Sequence, residues 1–187
     1  MTVYFTASIK GKGLYEENYL KIIDILKSKN YSVISDHIIK NNPAKIQLES
    51  KDERLAFQKQ LDEWINSAEV VVAETSFPSI SVGFEISLAL ARGKPVLILY
   101  AEGHPPSLLA HHENEKLVCE KYTFDTVADI IEDFLNYAKG TEESRFTFFI
   151  TSQIASYLEE VSKNEKLPKS VYLRKLIEKD MRERKTS

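Results

Sequence analysis

Glu85 is the lone carboxylate of a helical pattern that is otherwise almost uncharged until Arg92. The segment from Val70 to Tyr100 reads VVVAETSFPSISVGFEISLALARGKPVLILY. An apolar run, Val70 to Ala73, breaks into a Pro-containing loop and passes through Ser81-Val82-Gly83. Glu85 then opens a helical pattern that ends at Gly93, and a second apolar run, Pro95 to Tyr100, follows. This is a βαβ unit, and its loop and helix N-terminus belong at the carboxyl edge of a parallel sheet, where open α/β sheets bind ligands. The helix dipole alone favours a first-turn glutamate. Here Gly83 also lets backbone approach a ligand, and Phe84 can shield the site. A carboxylate so placed could attack the anomeric carbon of a sugar or stabilise its oxocarbenium ion.

A second loop leaves the strand Val3 to Ala7 and reads Ser8-Ile9-Lys10-Gly11-Lys12-Gly13. Its glycines allow backbone N–H groups to face a ligand, while Ser8 and Lys10 supply a hydroxyl and a cation. That equipment can hold a phosphate. The GxxxxGK[ST] spacing of a nucleotide P-loop is absent, and a strand-to-helix turn often needs glycine merely to turn.

The elements that must position these loops alternate along the chain. The pattern predicts a strand at Val3 to Ala7, a helix over Tyr15 to Asn30 and a strand at Tyr31 to Ser35. A polar, poorly patterned segment, Asp36 to Lys51, precedes a helix over Asp52 to Ser67 with Leu55, Leu61, Trp64 and Ile65 as its apolar stripe. Beyond Tyr100 come a loop with Gly103, Pro105 and Pro106 and a helix over Thr126 to Lys139. This order predicts a parallel sheet with helices on both faces.

The 187 residues are 43% hydrophobic, ordinary for a globular chain. No apolar run approaches the length of a membrane span, and MTVYFTAS lacks a signal-peptide pattern, so a cytoplasmic location is expected. Cys119 is the single cysteine, which excludes an intrachain disulfide. Four scattered histidines give no zinc spacing; His111-His112-Glu113 reads as a surface turn. No metal and no cofactor are expected. Charge divides the chain: from Arg145 onward ten Lys/Arg face six Asp/Glu, leaving fifteen against twenty-two for residues 1–144. Net values of +4 and −7 imply two modules.

YFTASIKGKG, followed by AEVVVAETSFPSISVGFEISLALARGKPVLIL, resembles the nucleoside 2-deoxyribosyltransferase superfamily, most closely its 2'-deoxynucleoside 5'-monophosphate N-glycosidase branch. The likeness covers roughly residues 1–140. It implies a flavodoxin-like α/β fold, a dimer, and a glutamate that attacks C1' to displace the base and form a glycosyl-enzyme intermediate. By motif position, Glu85 is the nucleophile and Tyr4 borders sugar and base. Ser8, Ile9, Lys10, Gly11, Ser79 and Gly83 belong to the substrate and phosphate site. The family's Asp, three residues before the tryptophan, falls on Leu61, with Asp62 the neighbouring candidate about 100° round the helix. Lys10 replaces a typical arginine, a point charge in place of a planar fork. The serine borrowed from a partner subunit falls near Leu109, where Ser107 and His111 are the candidates. Base exchange on unphosphorylated nucleosides is the alternative activity, and a non-catalytic nucleotide sensor or DNA-binding regulator the alternative class.

Residues 145–187 resemble a ribbon-helix-helix module. Phe146, Phe148 and Ile150 alternate, Ile154, Leu158 and Val161 follow at helical spacing, and Ser170 can cap a second helix with Leu173, Leu176, Ile177 and Met181 inward. So short a segment buries little core alone. Its outward set, Arg145, Thr147 and Phe149, with Lys169 and Ser170, is poor for base reading. Self-association is favoured over DNA binding.

Overall fold

The computed structural model describes residues 1–47, 50–103, 105–106, 114, 116–139, 150–165 and 169–185. The chain divides into two compact units, Met1–Arg145 and Phe146–Ser187.

Among the described residues, five strands lie in the first unit: β1 (Thr2–Ala7), β2 (Ser32–Ile34), β3 (Val70–Glu74), β4 (Val96–Tyr100) and β5 (Leu117–Lys121). All pairings are parallel, in the order β2-β1-β3-β4-β5. That is the flavodoxin-like order, with its switch point between β1 and β3. The described helices of this unit are α1 (Lys12–Ser28), α2 (Asp36–Ile39), α3 (Pro43–Gln47), α4 (Lys51–Ser67), α5 (Ile80–Ala91) and α6 (Val127–Ala138). The inner strands are mostly apolar because helices cover both faces, with Thr6 and Glu74 the buried polar exceptions. Val3, Phe5, Val70 and Val72 pack with α1 and α6. Tyr4, Val71 and Ala73 point the other way, against Leu61 and Ile65 of α4 and Val82, Ile86 and Ala89 of α5.

Local chemistry sets the element ends. Ser50 and Glu53 form a capping box at the start of α4, the Ser50 hydroxyl accepting from Glu53 N and the Glu53 carboxylate from Ser50 N. Ser79 caps α5, its hydroxyl accepting from Val82 N at 3.4 Å. Gly93, with φ of 70°, closes that helix in a conformation L side chains rarely adopt.

Four sequence expectations change. Strand β5 replaces part of the expected loop: it is an edge strand, half-buried and ending in Glu120-Lys121, so the apolar signature of the inner strands is missing. The polar Asp36–Lys51 segment carries α2 and α3, too short to show a period. Helix α1 begins at Lys12, so Gly13 lies inside it, and the phosphate-loop candidate shrinks to a single 3-10 turn, Ile9–Gly11. Helix α5 begins at Ile80, which moves Glu85 from the first turn to the second.

The second unit contains α7 (Ser152–Glu165) and α8 (Lys169–Lys185). Leu158 is buried, and the Tyr157 and Tyr172 hydroxyls lie 3.0 Å apart. Since α8 starts at Lys169, Ser170, expected just before the helix, sits in its first turn. Leu176 and Ile177, expected inward, are exposed, as is Ile154. Residues 145–149, the bulk of the expected ribbon, lie outside the described residues.

Gly11 couples the loops that follow β1 and β3. A Cβ on it would meet Phe77 Cβ at 2.5 Å and the Tyr19 hydroxyl at 2.7 Å. Gly11→Ala therefore overpacks this junction and should cost about 1–3 kcal/mol of stability, measured by urea unfolding.

Candidate active site

Glu85 lies on the buried stripe of α5. Val82, Glu85, Ile86 and Ala89 follow the i, i+3, i+4, i+7 spacing of a core-facing helix, and all four are buried. An apolar residue would ordinarily occupy position 85. The carboxylate is held there by Tyr4, whose hydroxyl donates to Glu85 Oε2 at 3.0 Å. Tyr4 is wholly buried in β1, an inner strand of the sheet. Burial pushes the Glu85 pKa above the ordinary carboxylate range, opposed by the Thr6 hydroxyl and by Tyr4. The Thr6 hydroxyl acts from close by, without a hydrogen bond of good geometry.

Glu85 opens onto a cavity of about 470 Å³ at the carboxyl ends of β1 and β3, the switch point of the sheet. Ser8, Ile9 and Lys10 line it from the turn after β1, and Ser79, Ile80 and Ser81 from the start of α5. Two helical N-termini converge there, and the first N–H groups of a helix have no intrahelical acceptor. Ser8 accepts from Gly11 N at 3.3 Å, which leaves its hydroxyl proton free to donate. Tyr19, donating to Ser8 O at 3.1 Å, fixes the turn. Lys10 is exposed and pairs with no described residue. The remaining wall is apolar, from Ile38, Pro43, Ile46 and Phe57, with Asn41 among them.

Other expected site residues fall elsewhere. Asp62 does not line the cavity; its carboxylate is paired with Arg92 at 2.7 Å, and Arg92 also donates to Asp62 O. The rotation of one residue on α4 is the reason: Leu61 takes the inward direction and joins the core, so Asp62 is turned toward α5's C-terminal end. Gly11 lies beneath the turn, packed by Phe77 and Tyr19, and Gly83 sits on the open side of α5, where an added Cβ would meet nothing within 4 Å. Ser107, Leu109 and His111 lie outside the described residues. Among the described residues no cluster of His, Cys, Asp and Glu could hold a metal, and no helix is long and apolar enough to cross a membrane.

His37 was not anticipated. It follows β2 in a short helix, lines the cavity, and places Nε2 at 3.0 Å from the Tyr4 hydroxyl. Its ring lies between Tyr4, with centroids 5.0 Å apart, and Trp64, at 4.9 Å. Burial pushes its pKa down to about 4, partly opposed by Asp36. The one available signal was a histidine directly after a strand in a polar segment, which is too common to single out. A second buried carboxylate, Glu74, lies at the end of β3 on the other face. Its Oε1 accepts from the Ser76 hydroxyl and amide and from Tyr122 at 3.2 Å, which ties the loop after β3 to β5.

No family model matches the chain. Over 103 residues, 55% of its length, the chain is 35% identical to a Syntrophotalea carbinolica protein provisionally named 2'-deoxynucleoside 5'-phosphate N-hydrolase 1, and the match spans 70% of that protein. It is also 35% identical over 104 residues to 5-hydroxymethyl-dUMP N-hydrolase of Mus musculus, spanning 53% of this chain and 57% of that one. The chain belongs to the 2'-deoxynucleoside 5'-phosphate N-hydrolase family. Among solved structures, the Clostridium botulinum CMP N-glycosidase superposes with a TM-score of 0.51 at 17% identity, covering 71% of this chain and 99% of that one. At that identity the likeness is one of fold.

Burying Glu85 gives a pH-dependent stability. Its folded pKa is raised, so the folded state holds a proton that the unfolded state has released, and stability falls as pH rises through that window. Glu85→Gln lacks this loss. The variant should melt above the parent at pH 8, with the advantage shrinking as pH falls toward the ordinary glutamate range; Glu74, raised in the same direction, is common to both proteins and cancels. Thermal melts from pH 4 to 8 measure it.

Proposed function

We infer that this protein hydrolyses the N-glycosidic bond of a (deoxy)nucleoside 5'-monophosphate, with Glu85 as nucleophile. Family membership supports the reaction. The observation that carries the mechanism is a buried carboxylate, held on one oxygen by Tyr4, in a cavity also lined by Lys10, Ser8 and Ser79. In a bound nucleotide the phosphate lies against these three residues and C1' faces Glu85. A Glu85 oxygen bonds to C1' as the C1'–N bond breaks, and the base leaves with the electron pair and takes up a proton. Water then attacks C1', loses a proton and frees the carboxylate, giving the base and the sugar 5-phosphate. Two displacements retain configuration at C1'.

Glu85→Ala should abolish base release, assayed by separating free base from nucleotide, with the circular dichroism of the fold unchanged. Turnover near the parent's would remove the mechanism. Lys10→Ala should raise KM for monophosphates by roughly 10- to 100-fold and leave the corresponding nucleosides nearly unaffected, because a charge-assisted contact contributes about 1.5–3 kcal/mol. Equal losses on both would favour a nucleoside deoxyribosyltransferase, which adding a second free base as acceptor would reveal by its exchange product.

The second unit supports self-association. Ile154, Tyr157, Leu176 and Ile177 present apolar surface on its two helices. Deleting residues 145–187 should lower the oligomeric state or its stability in a sizing experiment, with no loss of DNA affinity. Salt-dependent, sequence-selective DNA binding lost on truncation would favour a regulator.

A further inference from the structure

Tyr4 has one hydroxyl proton and two neighbours that could share it. It donates to Glu85 Oε2 at 3.0 Å, and its oxygen lies 3.0 Å from His37 Nε2. A phenol donates once. With Glu85 ionised, as attack on carbon requires, the proton belongs to the Glu85 bond, and Nε2 must then be the donor to Tyr4. The buried imidazole is neutral, with its pKa near 4, so it carries a single N–H and the Nε2–H tautomer follows. Nδ1 is then a bare acceptor, and it is the ring nitrogen with no hydrogen-bond partner. An orphaned acceptor costs less than an orphaned N–H.

Resting on the reading of Glu85 as nucleophile, we propose that His37 is a positioning residue of the reaction: it donates from Nε2 to Tyr4, directs that hydroxyl's only proton to Glu85 Oε2, and so leaves Oε1 as the attacking oxygen. Among the described residues no donor reaches Oε1 in good hydrogen-bond geometry, and the Glu85 side chain lines the cavity. The ring cannot turn away. Tyr4 and Trp64 lie against it, and the backbone around it is tied down by Asn41, which donates to His37 O at 3.0 Å, and by Lys12, which donates to Ile39 O and Asn41 O. Without the donor at Nε2, the Tyr4 hydroxyl can rotate, and Glu85 loses the bond that orients it and lowers its pKa.

The test uses the full chain and the best-hydrolysed of the four common 2'-deoxynucleoside 5'-monophosphates. His37→Phe keeps the aromatic stack and removes the N–H, so it should lower kcat roughly 10- to 100-fold with KM within about threefold. His37→Gln, whose amide can place a donor near the Nε2 position, should recover most of that loss. In a Tyr4→Phe background the His37→Phe change should cost nothing further, because the group it acts through is gone. Equal defects in the Phe and Gln variants, or additive losses with Tyr4→Phe, overturn the proposal. Nitrogen-15 spectra of the parent protein test it without any variant: a proton on Nε2 supports it, and a proton on Nδ1 overturns it. If Glu85→Gln retains turnover, the nucleophile assignment fails; if Glu85→Gln is dead and His37→Phe turns over like the parent, only the positioning role fails.

Discussion

The hydrogen bond from Tyr4 to Glu85 joins an inner strand of the sheet to the buried stripe of a helix, and the rest of the site is arranged around it. A carboxylate in that stripe without a partner would cost several kcal/mol or stay protonated. Tyr4 offsets part of this cost and also fixes direction. It can do so because β1 is paired on both sides, with Tyr4 in register with Val71 of β3 and Ile34 of β2. A donor on a loop would not hold one carboxylate oxygen so firmly.

The two faces of the sheet serve different ends. On the α4 and α5 face, Tyr4, His37, Trp64 and Phe57 stack into an aromatic wall that keeps water from the carboxylate's far side. On the α1 and α6 face, Tyr19 and the Glu74–Ser76–Tyr122 cluster brace the loops that leave β1 and β3. Phe77 closing over Gly11 links those loops directly.

One departure from the expected family pattern lies in a single turn of α4. Leu61 occupies the inward position where an aspartate is expected, and it joins the core, so the nucleophile's surroundings there are apolar. Trp64, one turn on, still reaches His37. With Asp62 committed to Arg92, Tyr4 and Thr6 are the polar groups that act on Glu85, and His37 reaches it through Tyr4.

Much of this was legible in the residues. The apolar strands β1, β3 and β4, helices α1, α4 and α6, and the placing of Glu85, Ser8, Lys10 and Ser79 near the carboxyl edge all follow from periodicity and loop chemistry, which depend on neighbours in the chain. Short or edge elements were not legible, since α2 and α3 span barely a turn and β5 has no need of an apolar signature where solvent meets it. Nor could spacing decide which way a given side chain turns: whether position 61 or 62 faced inward depended on how α4 seats against the sheet, and whether Glu85 was an exposed first-turn residue or a buried one depended on where α5 begins. The link from His37 through Tyr4 to Glu85 joins residues 33 and 81 positions apart. Only the packing of β1, α2 and α5 brings them together, because hydrogen bonds act over about 3 Å of space and carry no trace in sequence separation.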